Sequence, residues 1–406
     1  MVTVLRCGTL FEASGAEPVH DALVVVDGGR IASVGPAAQT PVPADADEVD
    51  LRAYFVLPGL VDAHSHVSID PGRGDQTGQM RAPIARRALW ATEYLRRDLL
   101  AGTTTLRVMA EEEFLDFEVR EAIAAGTIAG PRLLCAGRGI TASNGHARAG
   151  AGFDGPDAIR KAVRENFAAG ATHVKLFTTG GVSTPGSTLQ ASGYAREEIR
   201  AAVDEAERVG AYAAAHAHGG PGLRWALEEG VSTIEHGALA TDEDVELMIR
   251  RSAWLVCTFS VLFHPTGIEQ GDAHVAAIMD KVRWARQVVT TNFPRLLQSG
   301  VQFAVGTDSM HGLMAYELET LVRLGVSPAQ ALLAGTRSGA AACRVLDRTG
   351  TLEAGKDADL IAVRGDPLQD ITALRAVAFV MRGGTIVTQP SGAGQQSDSA
   401  VAAGVA

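Results

Sequence analysis

The chain has 406 residues, 46% hydrophobic and 20% charged, enough to bury a large core in one or two domains. Acidic residues number 47 against 36 basic, a net charge of −11 that argues against nucleic acid or an anionic membrane as the main partner. Cys7, Cys135, Cys257 and Cys343 lie far apart and form no CxxC, which points away from a disulfide framework and towards a reduced, cytoplasmic setting.

The first residues carry no basic segment followed by an apolar core, so no secretory leader is expected. No apolar run reaches the ~18 residues that a membrane span needs. Residues 1–57 read as short strands and turns, with Asp27-Gly28-Gly29 between two apolar runs as a hairpin signal. From Gly59 the pattern changes to strand-like runs alternating with Ala/Glu/Arg-rich helical stretches. The runs are 59–64, 103–108, 132–136, 173–177, 211–216, 233–236, 254–258 and 302–306. Eight such units predict an α/β fold of the (β/α)8 TIM-barrel kind, whose typical size of about 250 residues suits 59–354. After Gly350 short strands return around Arg382-Gly383-Gly384. The expected organisation is a barrel over 59–354 and a small β-sandwich made from 1–58 plus 355–388. The Ser/Gly/Ala/Gln-rich tail, 390–406, is expected to be disordered.

In this fold the active site lies at the C-terminal ends of the strands, so the polar residues there are the ones to read. His64 and His66 end the first run, and residues two apart on a strand share a face, so both imidazoles converge. Lys175 sits in the fourth run, His216 ends the fifth, His236 the sixth, and Asp308 follows the eighth. Any one of these has an ordinary structural explanation. Six at the ends of five strands, nearly all carrying donor atoms that metals use, predict a joint site.

The order HxH, Lys, His, His, Asp resembles the amidohydrolase superfamily of metal-dependent hydrolases. Pro58-Gly-Leu-Val-Asp-Ala-His-Ser-His66 resembles its first-strand signature, and the segment from His216 to His236 resembles the imidazolonepropionase-like and metal-dependent prolidase branch. Gly350-Thr-Leu-Glu-Ala-Gly-Lys-Asp-Ala-Asp359 resembles the family's return to the β-sandwich; the resemblance covers about 1–388. It implies two divalent metal ions, usually zinc. His64, His66 and Asp308 would hold the more buried ion, and His216 and His236 the other. Lys175, N-carboxylated by CO2, would bridge them, since an ammonium ion cannot ligate a cation. A bridging hydroxide would attack a carbonyl, with Asp308 as general base handing the proton to the leaving nitrogen.

Substrate contacts are the second tier. His146 aligns with a Gly-His that the prolidase branch uses near substrate; His218 and His311, close in sequence to ligands, could face an oxyanion. Arg107 ends the second run, where the family typically has Arg-Asp but this chain has Val108. Arg148 and Arg138 are candidates to pair with a substrate carboxylate. The loop over 72–79 is a candidate lid. The expected function is hydrolysis of a C–N amide bond in a small molecule: a dipeptide (Xaa-Pro or Xaa-basic) or an N-acyl amino acid. A cyclic amide, an amide of a secondary-metabolite or xenobiotic pathway, and a non-catalytic scaffold are the alternatives. Homo-oligomers are common in the superfamily, but no sequence feature fixes a number.

Overall fold

The computed structural model describes residues 2–390. Most of the expected tail therefore lies outside the described residues.

Fifteen strands are described. The first four are β1 (Val2–Leu10), β2 (Val19–Asp27), β3 (Arg30–Pro36) and β4 (Asp47–Pro58). The next eight are β5 (Leu60–Ser65), β6 (Thr103–Val108), β7 (Arg132–Cys135), β8 (Val174–Phe177), β9 (Ala213–Ala217), β10 (Thr233–His236), β11 (Trp254–Cys257) and β12 (Gln302–Val305). The last three are β13 (Leu360–Val363), β14 (Val377–Arg382) and β15 (Thr385–Thr388).

Strands from both parts of the chain form one seven-stranded sheet, in the order β15-β14-β13-β4-β1-β2-β3. β4 is its hinge: it runs parallel to β1 and antiparallel to β13, with Leu57 opposite Ile361 and Phe55 opposite Val363. One face of this sheet packs Leu5, Leu10, Val24, Leu51, Val56, Phe379 and Met381 into a core of their own. The sequence does not predict β4, whose first third, Asp47-Glu-Val-Asp, is mostly charged and exposed.

The eight middle strands are parallel, in a three-stranded sheet β5-β6-β7 and a five-stranded sheet β12-β11-β10-β9-β8. Helices such as Pro156–Ala168, Arg196–Arg208 and Asp242–Arg251 connect them. β5, β6, β8 and β9 are buried at every position, as expected for parallel strands covered on both sides. A bridge from Ile140 to Leu176 joins the segment after β7 to β8. On the other side, Asp62 of β5 accepts hydrogen bonds from the Thr307 backbone N–H (3.1 Å) and hydroxyl (2.6 Å), just beyond β12. A Cβ at Gly306 would collide with the His64 backbone nitrogen, so only glycine allows this approach.

The two layers are tied by Arg132, which pairs with Asp357 (2.8 Å) and Asp359 (2.5 Å). The four cysteines are buried and free. Among the described residues no helix is long and apolar enough to cross a membrane.

Candidate metal centre

His64, His66 and Asp308 each present a ligand atom within 4.8 Å of the others. Their arrangement follows from the strand ends. The Asp308 N–H donates to the His64 carbonyl at 2.8 Å, which brings the segment after β12 against β5. Asp308 has φ 49° and His236 has φ 74°, both in the left-handed region. Such backbone is uncommon for residues with side chains and is maintained only where the surroundings impose it.

Hydrogen bonds fix which ring nitrogen each histidine has left to offer. His66 Nδ1 lies 2.9 Å from the Ala110 carbonyl oxygen, which can only accept, so Nδ1 carries the proton. Burial, first, pushes the His66 pKa down to about 4, so Nε2 keeps a free lone pair at neutral pH. That lone pair faces Asp308 Oδ1 at 3.7 Å. His64 Nδ1 is engaged by Glu235 Oε2 at 2.7 Å, leaving Nε2 3.4 Å from the same Asp308 oxygen. A carboxylate facing two imidazole nitrogens is the chemistry of a cation site.

A second set of donors adjoins the first. The His236 ring lies 4.9 Å from that of His64 and 4.6 Å from that of His216. His216 Nε2 is 3.1 Å from the Gly180 carbonyl oxygen, so Nδ1 is its free nitrogen. Burial and the neighbouring imidazoles hold both rings well below the ordinary histidine pKa. Lys175 is fully buried, and its Nζ has no hydrogen-bond partner among the described residues. Burial lowers its pKa to about 8 against the pull of Glu235 and Asp308. A buried amine without a partner is costly as an ammonium ion, and its neutral form is a nucleophile.

The six residues line one cavity of about 830 Å3, mouth included. His146 and His218 also line it, with burial lowering their pKa to about 3 and about 4. His146 Nδ1 is 2.6 Å from the Thr184 hydroxyl, while His218 Nδ1 has no partner among the described residues. The loop expected as a lid contributes Gln76 and Thr77, with Met80 next to it. It is held by Gln79, whose amide donates to the Gly74 carbonyl at 2.7 Å, and by Asp75, whose N–H donates to Asp272 at 3.1 Å.

Four sequence candidates lie elsewhere. Arg107 is fully buried behind the site, donating to the Ala63 carbonyl (2.6 Å), the Thr233 hydroxyl (3.1 Å) and Glu235 (2.9 Å). Its strand position turns it into the protein, so it does not line the cavity. His311 has both ring nitrogens occupied, by Asp98 (2.8 Å) and the Ile69 carbonyl (2.9 Å), and it stacks on Tyr94. It is a buried tie between loops, not a donor facing substrate. Arg148 is exposed, and Arg138 pairs with Glu165. No arginine lines the cavity among the described residues.

Carboxylates supporting the donors were missed from sequence. Glu235 carries His64, and Glu111 accepts from the Val67 and Ser68 N–H groups (2.7 and 3.0 Å) just past His66. A glutamate directly before a strand-end histidine, as in Thr-Ile-Glu-His, is the signal that could have revealed Glu235.

Known proteins resemble this chain over nearly its whole length. Ochratoxinase from Aspergillus niger is 29% identical over an alignment that covers 96% of this chain and 87% of that protein. Imidazolonepropionase from Micrococcus luteus is 27% identical, with 84% and 86% covered. The crystal structure of a Xaa-Pro dipeptidase with methionine bound in its active site superposes with a TM-score of 0.85 at 28% identity, covering 96% of this chain and all of that one. Residues 55–387 match the amidohydrolase family itself, and with that extent of agreement the chain belongs to the amidohydrolase family and is a hydrolase acting on amide bonds.

Proposed function

We propose that this chain is a binuclear metal-dependent amidohydrolase that cleaves the C–N amide bond of a dipeptide or an N-acyl amino acid. The observation that carries the reading is the confluence, in one cavity, of lone-pair histidine nitrogens around Asp308 with the unpartnered Lys175 amine. His64, His66 and Asp308 would hold one divalent ion, and His216 and His236 a second, with Lys175 shared between them as its carbamate. Nitrogen and oxygen donors of this kind suit zinc. When bound, such ions polarise a carbonyl and supply a nucleophile at neutral pH.

The chain's own groups do the rest. The Asp308 carboxylate takes the proton of the attacking water and delivers it to the leaving nitrogen. Although burial alone would raise its pKa, the interaction with His64 first, then those with His66 and Lys175, hold it well below the ordinary carboxyl value. His146 and His218, neutral by burial, are placed to donate to substrate oxygens.

The eight parallel strands read as a closed (β/α)8 barrel over 59–354, supported by the Ile140 bridge on one side and the Asp62–Thr307 hydrogen bonds on the other. The single seven-stranded sheet from residues 1–58 and 355–388 would then fold over on itself as the β-sandwich beside it. The test is metal-reconstituted protein offered a library of dipeptides and N-acyl amino acids, with Asp308→Asn as control. Release of amino acid that the control lacks, with two metal ions per chain, is expected. A blank library at full metal content would overturn the reading and favour a cyclic amide.

A further inference from the structure

Beyond the donor cluster, the cavity wall is mostly hydrocarbon. One part comes from the segment after β11 and from helix Ala276–Gln298: Phe259, Val261, Ile268, Val289 and Phe293. Ile69, Met80 and Phe177 form a second, separate apolar cluster against the same space. The polar part of the remaining wall is neutral, from Gln76, Thr77, Ser183 and Thr258 beside His146 and His218. Among the described lining residues the only side chains that carry formal charge are Lys175 and Asp308, and both belong to the donor cluster.

We propose that the groups filling this cavity on either side of the scissile amide are bulky, apolar and uncharged, with aromatic or branched aliphatic side chains preferred over basic or acidic ones. The proposal rests on the amidase reading above and narrows it. A guanidinium or ammonium group remote from the scissile bond meets no free carboxylate here, and a remote carboxylate meets no arginine. Either would enter desolvated and unpaired. A phenyl or isobutyl group exchanges water for Phe293, Val289 and Ile268 and gains the transfer free energy of its surface. The Xaa-basic dipeptides that the family resemblance leaves open are therefore disfavoured for this chain.

The test is a matched series on the metal-loaded protein: N-benzoyl derivatives of L-phenylalanine, L-leucine, L-arginine and L-glutamate. The kcat/KM values of the first two are expected to exceed those of the last two by about tenfold or more. Equal or faster cleavage of the arginine or glutamate compound would overturn the proposal while leaving the amidase reading intact. If none of the four is cleaved, the amidase reading fails for this class, and binding decides the proposal. Calorimetry with N-benzyl-L-phenylalanine and N-benzyl-L-arginine, in which a secondary amine replaces the amide, is expected to give the same tenfold order. No preference, or the reverse, overturns it. Val289→Glu and Met80→Glu place a carboxylate in each apolar cluster, and either is expected to raise the arginine-to-phenylalanine ratio severalfold. An unchanged ratio in both folded, metal-loaded variants would also count against it.

Discussion

Arg107 and Glu235 pair at 2.9 Å with neither side chain exposed, and the same Glu235 carboxylate holds His64 Nδ1. Burial opposes both charges, yet each holds the other ionised: Arg107 is raised and Glu235 lowered from their ordinary values. The pair thus carries charge from behind the strands to a candidate metal ligand.

Glu235→Gln leaves the buried guanidinium without its counter-charge and loosens His64. A loss of about 3–5 kcal/mol in stability is expected, together with about a 10–100-fold weaker metal affinity. Thermal unfolding of the apo-protein and titration against a chromophoric chelator separate the two effects. A variant that holds metal as tightly as the parent would refute the positioning role.

Lys175→Met exchanges an unpartnered buried amine for an apolar group of similar length. The apo-protein should be stabilised by about 1–3 kcal/mol, while activity and the second metal equivalent are lost. Chemical denaturation and metal analysis of the same preparations check both halves. A destabilised apo-protein would mean that the amine has a partner in solution.

Asp308→Asn tests the proton transfer with little damage to the fold, because asparagine tolerates the left-handed backbone at this position. A fall in kcat of about 10²–10⁴-fold is expected, with circular dichroism and melting temperature nearly unchanged. Asp308→Val, by contrast, should also melt earlier, since a branched side chain is strained at φ 49°.

Glu317 supplies a pH signature. Its carboxylate accepts from the Phe259 N–H (2.7 Å), the Ser260 N–H (2.6 Å) and the Ser260 hydroxyl, yet burial dominates and raises its pKa from 4.5 to about 8. Between those values the folded chain keeps a proton that the unfolded chain releases. The group therefore lowers stability as pH rises through this window, by up to about 1.4 kcal/mol per pH unit. The stability of the parent relative to Glu317→Gln should decline from pH 5 to pH 8. Urea titrations at four pH values measure it, and a flat difference would contradict the assignment.

The donor atoms were legible in sequence because each follows a short apolar run, and the fold brings such run ends together. What holds them was not. Glu235 lies 171 residues from His64, and Asp98 lies 213 residues from His311. No local period encodes either pairing. Arg107 and His311 read as substrate contacts in the sequence because they sit beside strand ends, but the direction of a side chain there is decided by a distant carboxylate. β4 escaped notice because its first four residues are mostly charged and exposed, where a strand next to a core is expected to alternate. The apolar wall of the cavity was invisible for another reason: Val289 and Phe293 look like any core positions of a helix, and only packing shows that they border an opening.

The place of β4 bears on how the chain is made. Its neighbour β13 is synthesised some 300 residues later, so throughout translation β4 waits with one edge unpaired, immediately upstream of the histidines it delivers. An open edge of that kind recruits other strands. Shortened chains that stop before Leu360 should accordingly aggregate, because the sheet from which the His64 strand departs lacks its β13 side until that strand has emerged.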